Sequence, residues 1–129
     1  MFERFFEKDA SGTLKGLTLE WACPQCNGIN FRILRDPERR LPEFRAPCRY
    51  CKTRCRVLFS PQSGSLPGEA AFMERLADEE FIEHEQEDLI RDFAEIEYMR
   101  YEKANPKAIA EKQRLLEDKI TFFKRRRRM

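Results

Sequence analysis

Five cysteines stand within 33 residues of this 129-residue chain, and four of them are paired: Cys23-Pro24-Gln25-Cys26, then 21 residues, then Cys48-Arg49-Tyr50-Cys51. A C-x2-C segment puts two thiolates on one tight turn whose backbone N–H groups can face the sulfurs. Two such turns supply the four-sulfur tetrahedron that Zn2+ accepts. The spacing predicts one structural zinc ion held by Cys23, Cys26, Cys48 and Cys51. Four protein thiolates leave no coordination position for a catalytic water, so the metal is expected to hold the fold and not to react. Cys55 is left over. Its alternation with Val57 and Phe59 predicts a core-facing free thiol, and replacement of Cys51 as the fourth ligand is the open alternative. The single histidine, His84, lies on an acidic stretch with no second histidine or cysteine in helical reach and reads as a surface residue. With no serine in a nucleophile signature, the chain is expected to be non-enzymatic.

The residues around the cysteines must form strands to position them. Leu17, Leu19 and Trp21 alternate with polar neighbours, as do Ile29, Phe31 and Ile33, and then Cys55, Val57 and Phe59. Trp21, Phe31, Phe44, Val57 and Phe59 are the expected small core. Trp21 has a second reading, as a stacking surface for nucleic acid. Residues 19–59 resemble the four-cysteine zinc ribbon superfamily, with an aromatic shortly before a C-P-x-C knuckle and strands flanking both knuckles. The resemblance implies a small antiparallel sheet pinned by zinc. Such ribbons recur in transcription factors, RNA polymerase subunits, ribosomal proteins and accessory modules of nucleic-acid enzymes. After Cys51 the chain has Lys52 where the family often has glycine.

Beyond the ribbon the pattern changes. Residues 61–67 concentrate Pro, Ser and Gly and read as a linker, and from residue 69 no glycine follows. Asn105-Pro106 supplies a cap and a first-turn proline, so helices are predicted at about 68–103 and 106–124. Leu89, Phe93, Ile96 and Met99 face Ile109, Leu116, Ile120 and Phe123 as two apolar stripes, which implies an antiparallel, coiled-coil-like hairpin. The fold class is therefore α+β, a ribbon sheet over 17–60 followed by a helical hairpin over 68–124. It is flanked by a short amphipathic segment over 1–16, with Phe2, Phe5 and Phe6 on one helical face, and by an Arg-rich tail over 125–129. The front of the first helix, with Phe72, Met73, Leu76, Phe81 and Ile82, has no partner within the hairpin. It either folds back on the ribbon, presents its apolar side to another protein, or forms a partly frayed or kinked helix.

Charge sharpens the functional expectation. The chain is 41% hydrophobic and 37% charged, with a formal net charge of +2, yet residues 1–68 carry +5, residues 69–102 carry −10 and residues 103–129 carry +7. Near-neutrality is thus a cancellation between segments. Arginine dominates the nine basic side chains between positions 32 and 56, a bias suited to bidentate phosphate or carboxylate recognition. Arg32, Arg39, Arg40, Arg49, Lys52, Arg54 and Arg56, together with Lys124, Arg125, Arg126, Arg127 and Arg128, are the candidate nucleic-acid contacts. Two rival uses of the ribbon arginines remain open, docking of the chain's own acidic helix and simple solvation. No apolar run spans a membrane and no signal-like start is present, so a cytoplasmic location is expected, or a nuclear one in a eukaryote. The leading reading is a zinc-binding adaptor in a transcription complex or ribonucleoprotein such as the ribosome, contacting DNA or RNA phosphates and other protein subunits. The alternative is a structural or assembly subunit of a multisubunit or viral complex that uses the acidic helix and the arginines for protein contacts.

Overall fold

Nine elements form in the computed structural model, which describes residues 7–62 and 66–128, without the side chains of residues 127 and 128. The chain divides into two compact units, Met1–Gly64 and Ser65–Met129. In the first, β1 (Glu7–Lys15) turns through Gly16-Leu17 into β2 (Thr18–Ala22). Gly16 sits at φ +67°, the left-handed conformation that a two-residue hairpin turn with glycine first requires. β3 (Ile29–Ile33), a one-turn helix α1 (Asp36–Arg39), β4 (Glu43–Pro47) and β5 (Arg54–Leu58) follow. The strand order is β3-β2-β1-β5-β4.

Two sequence expectations change here. Residues 7–15 are the central strand of the sheet and not part of a separate leading segment, while Phe2, Phe5 and Phe6 lie outside the described residues. The sheet is also mixed and not purely antiparallel, because β1 runs parallel to β5. Its inner face carries Ala10, Leu19, Trp21, Ala46, Cys55 and Val57, joined by Leu34 and Phe59 in one buried cluster. Gly12 lies within this packing. A Cβ there would stand 2.5 Å from Val57 Cγ1 and 2.8 Å from Leu19 Cδ1, so only glycine lets β1 sit this close to its neighbours. Because β3 and β4 are the sheet's two edges, the placement of the Arg32 guanidinium 5.7 Å from the centre of the Phe44 ring means that the sheet curls until its edges meet.

The second unit contains α2 (Glu69–Asp78), α3 (Glu83–Tyr101) and α4 (Pro106–Arg128). One long helix over 68–103 is therefore not what forms. Asp78, Glu79 and Glu80 crowd acids at a helix C-terminus, where the dipole disfavours them, and Glu80 takes φ +55°. The break lets α2 fold back: Phe72 stacks on Phe93 with ring centres 4.5 Å apart, and Phe81 meets Phe123 edge-on at 6.3 Å. α3 restarts with Glu85 Oε1 accepting the Ile82 N–H. At α4 the Asn105 side chain accepts the Lys107 N–H at 2.9 Å. Ion pairs Lys112–Glu95 and Lys119–Asp92 rise along one helix as they fall along the other, which makes α3 and α4 antiparallel. Leu89, Ile96, Leu116, Ile120 and Phe123 fill the space between the helices. α4 continues through the basic segment to Arg128, so residues 125–128 are helix and not a separate tail.

Candidate metal centre

The two knuckles are near copies of each other because each inserts a C-x2-C turn between paired strands. In the first, which links β2 to β3, the Cys23 N–H donates to Gly28 O and the Asn27 N–H to Cys23 O. In the second, which links β4 to β5, the Cys48 N–H donates to Thr53 O and the Lys52 N–H to Cys48 O. Asn27 and Lys52 occupy equivalent positions at φ +62° and +66°. Lys52 thus adopts the turn a glycine would make, at a steric cost of about 1–2 kcal/mol for a residue bearing a Cβ.

This geometry aims donors at the sulfurs. The N–H groups of Gln25, Gly28 and Tyr50 each lie 3.4 Å from a cysteine Sγ, those of Cys23, Cys26 and Cys48 respectively. Cys51 Sγ lies 3.1 Å from the Thr53 hydroxyl oxygen, which becomes the donor once Cys51 is a thiolate. All four sulfurs lie within 4.8 Å of one another, with Cys23–Cys51 at 3.7 Å and Cys26–Cys48 at 3.6 Å. A tetrahedron with metal–sulfur bonds of about 2.3 Å has edges of about 3.8 Å, so the set matches a four-thiolate metal site with little movement. Cys23 and Cys48 are buried, while Cys26 and Cys51 face outward.

The thiols divide their acidity unequally. Burial pushes Cys48 up, but the N–H groups of Cys51 and Tyr50, the Asn30 amide and the Cys26 sulfur outweigh it and bring it down to about 6. At Cys26 the Gly28 N–H pulls downward, and burial with the sulfurs of Cys48, Cys51 and Cys23 pushes the thiol up to about 12. The Thr53 hydroxyl, followed by its N–H, lowers Cys51. Four thiolates so close repel one another, and a divalent cation in place of the protons removes that conflict.

Asn30 is the residue that sequence reasoning missed. The side chain is 2% exposed; its amide donates to Cys48 Sγ at 3.4 Å and to Gly28 O at 3.2 Å, and its carbonyl oxygen accepts the Arg49 N–H at 2.8 Å. It ties β3 to the second knuckle across the seam. Its inward aim reverses the expected face of β3. Register pairs Trp21 with Asn30, so Ile29 and Phe31 point outward at 44% and 48% exposure, and Phe31 is not a core residue. The apolar–polar alternation signalled a strand but not which face of this edge strand turns inward. Beside the seam, Tyr50 packs on Gly28 so closely that a Cβ there would lie 2.4 Å from its ring.

Trp21 is 3% exposed and belongs to the core, which excludes the stacking reading. Cys55, 1% exposed, is a core thiol raised by burial, and among the described residues the buried Trp21 indole N–H has no hydrogen-bond partner. Among the described residues the metal-competent group is Cys23, Cys26, Cys48 and Cys51, with Cys55 outside it.

The candidate phosphate contacts fare unequally. Arg39 is fully buried, donating to Gln62 Oε1 at 2.8 Å and Leu34 O at 2.7 Å, so it is an internal strut and not a surface contact. Arg40 is chelated by Asp36, and Arg56 holds Asp9 through two bonds of 2.8 and 2.9 Å with Glu43 nearby. The guanidinium of Arg56 lowers the Asp9 carboxyl below its usual range. Arg32 lies over Phe44 and Arg49 over Tyr50, and neither has a carboxylate partner among the described residues. Lys52 Nζ reaches Arg49 O at 3.4 Å, and Arg54 is exposed. In the helical unit Lys124 pairs with Glu79 at 2.9 Å, and Arg125 and Arg126 are exposed. The side chains of Arg127 and Arg128 lie outside the described residues. Of the predicted partner-binding group, Phe72, Leu76 and Phe81 are buried within the unit itself and Met73 is half-buried, which leaves Ile82 outward at 56%. Phe72, Leu76 and Phe81 are therefore packing within the chain. No helix among the described residues is long and apolar enough to cross a membrane.

Compared with protein-family models, curated proteins and solved structures, the chain has no significant match.

Proposed function

We propose that this chain is a non-enzymatic adaptor in a nucleic-acid machine, a transcription complex or a ribonucleoprotein, whose ribbon is pinned by one zinc ion. Cys23, Cys26, Cys48 and Cys51 hold the ion, and its role is to tie the two hairpins of a curled sheet. All-sulfur ligation favours a soft or borderline ion, and tetrahedral geometry suits zinc. The observation that carries the adaptor reading is the contrast among arginines. Arg40 and Arg56 are neutralised by carboxylates of the same unit, whereas Arg32, Arg49, Arg125 and Arg126 have no carboxylate partner among the described residues. Guanidinium groups kept clear of internal carboxylates suit phosphate oxygens.

Affinity in this reading comes from phosphate neutralisation and falls steeply with salt. Fluorescence titration against duplex DNA, single strands and a structured RNA at two salt concentrations tests it. Salt-sensitive binding to at least one of them is expected. Absence of binding to all three transfers the reading to the assembly-subunit alternative, which the exposed Leu115 and Phe122 on α4 favour.

A further inference from the structure

The seam where the curled sheet closes carries aromatic rings and guanidinium groups together. Ahead of β3, the Tyr50 ring packs on Gly28, where a Cβ would lie 2.4 Å from it. Two residues on, the Asn30 carbonyl oxygen accepts the Arg49 N–H at 2.8 Å. Two further on, the Arg32 guanidinium lies over Phe44 at 5.7 Å, while that of Arg49 lies over Tyr50 at 5.4 Å. Asn30 and Arg32 are about 6.6 Å apart along the strand, twice the rise of one residue, which is comparable to the spacing of successive phosphates in an extended single strand. Tyr50 is 60% exposed, and Arg32 and Arg49 are exposed too.

Neither of these two guanidinium groups has a carboxylate partner among the described residues. On the same sheet, by contrast, Arg45 pairs with Glu7 and Glu43, and Arg56 is bonded to Asp9. An aromatic ring attracts a guanidinium without cancelling its charge or taking its in-plane N–H donors. Arg32 and Arg49 therefore keep both for an anion. With zinc bound, the four thiolates and the ion carry a net charge of −2. The N–H groups of Gln25, Gly28 and Tyr50 face those sulfurs, while the Arg49 guanidinium is turned onto Tyr50. Asn30 and Gly28 also fix the knuckle that bears Tyr50 and Arg49, so binding has little left to order.

We infer that this seam binds single-stranded nucleic acid: a base stacks against the Tyr50–Arg49 pair, and adjoining phosphates meet the N–H edges of Arg49 and Arg32. The inference rests on the nucleic-acid reading above and adds Tyr50, which the charge pattern alone did not single out. Stacking is what selects the strand. Every base has a flat face for an aromatic ring and a guanidinium plane, but in a duplex that face is covered by its neighbours. An acidic peptide offers carboxylates to the two arginines and gives Tyr50 no such partner.

The test uses the zinc-loaded full chain and a fluorescein-labelled 15-residue oligothymidylate, titrated at two salt concentrations. R32Q/R49Q is expected to bind at least tenfold more weakly, with a log K against log salt slope shallower by about 1.4, about 0.7 for each lost phosphate contact on a single strand. Tyr50→Leu, which keeps an apolar side chain beside Gly28, should bind about tenfold more weakly with the slope unchanged, because stacking releases no counterions. Tyr50→Phe, which keeps the ring, should match the wild type. If the variants lose zinc, cross-linking of a 4-thiothymidine oligonucleotide to the unsubstituted chain replaces them as the readout: attachment within residues 48–52 is expected, and attachment confined to α4 overturns the inference. Wild-type affinity in R32Q/R49Q and Tyr50→Leu, with loss of binding in R125Q/R126Q, overturns the seam and leaves the adaptor reading standing. Tighter binding to duplex DNA than to the oligothymidylate overturns the single-strand assignment. Absence of salt-sensitive binding by the wild type to any nucleic acid removes both readings, and binding to polyglutamate in its place assigns the seam to an acidic protein.

Discussion

The sheet unit and the helical unit solve the same problem, enclosing apolar residues in about sixty-five residues of chain each, by different means. In the helical unit, rings and aliphatic side chains from three helices interlock, and ion pairs such as Arg75–Glu117 and Lys119–Asp92 decorate the margins. In the first unit the sheet has two edges to bring together, and the groups that bridge them are polar: four sulfurs, the Asn30 amide and the Arg32 guanidinium over Phe44. The difference teaches where each unit is vulnerable. The sheet unit depends on a few directional contacts around its four sulfurs, and the helices depend on volume.

Replacing Cys48 with serine is the severest break. The proposed structural zinc would supply on the order of 10 kcal/mol of apparent folding free energy, as in other small domains, so the sheet unit should unfold and bound zinc drop well below one per chain. The helical unit should keep its structure. Zinc content and residue-resolved amide spectra read both outcomes, and full zinc occupancy in the variant would refute the ligand assignment. Phe72→Ala is the counterpart in the helices. It removes a ring stacked on Phe93 and should cost about 3–5 kcal/mol with zinc content unchanged; metal loss would mean that the two units do not respond separately.

Asn30→Ala sharpens the comparison. It orphans the Arg49 N–H and removes a donor from Cys48 Sγ, an effect of about 1–3 kcal/mol that should show as faster zinc transfer to a chelator. Equal transfer rates for variant and wild type would strip Asn30 of its bracing role. The smallest effect is electrostatic. The Arg75 guanidinium holds the Glu117 carboxyl below its ordinary value of 4.5. A carboxyl lowered on folding contributes stability above its unfolded pKa and loses it as pH falls through the folded one. Burial raises Glu97, which has the opposite sign and favours folding as pH falls. Arg75→Met should therefore flatten the acid limb of helical-unit stability below about pH 4.5, measured by denaturant unfolding across pH, while unfolding of the sheet unit stays unchanged. An unaltered acid limb would remove the pair from the account.

Legibility in the sequence followed the same division. Two C-x2-C pairs announce a tetrathiolate site because local turn geometry presents the sulfurs whatever surrounds them. Asn105-Pro106 announced the start of α4 for a similar reason, since cap and proline act within one turn. The break at Glu80 was hidden. No glycine or proline marks it, and the rings that Phe72 and Phe81 meet after it stand on α3 and α4, far along the chain. Arg39 misled for the same reason: in the sequence it is one basic residue among nine, and only the folded loop buries it against Gln62 and Leu34.

The sequence by itself determined the α+β class, the four clustered cysteines and the helical hairpin, because each depends on spacing within a turn or a few turns. Tertiary structure alone decided that β1 is the central strand, that Asn30 turns inward while Phe31 turns out, and which arginines are consumed internally. Those outcomes depend on pairings between residues up to 47 positions apart, as in Arg56 with Asp9. No local pattern records the distance, charge and burial that select such a partner.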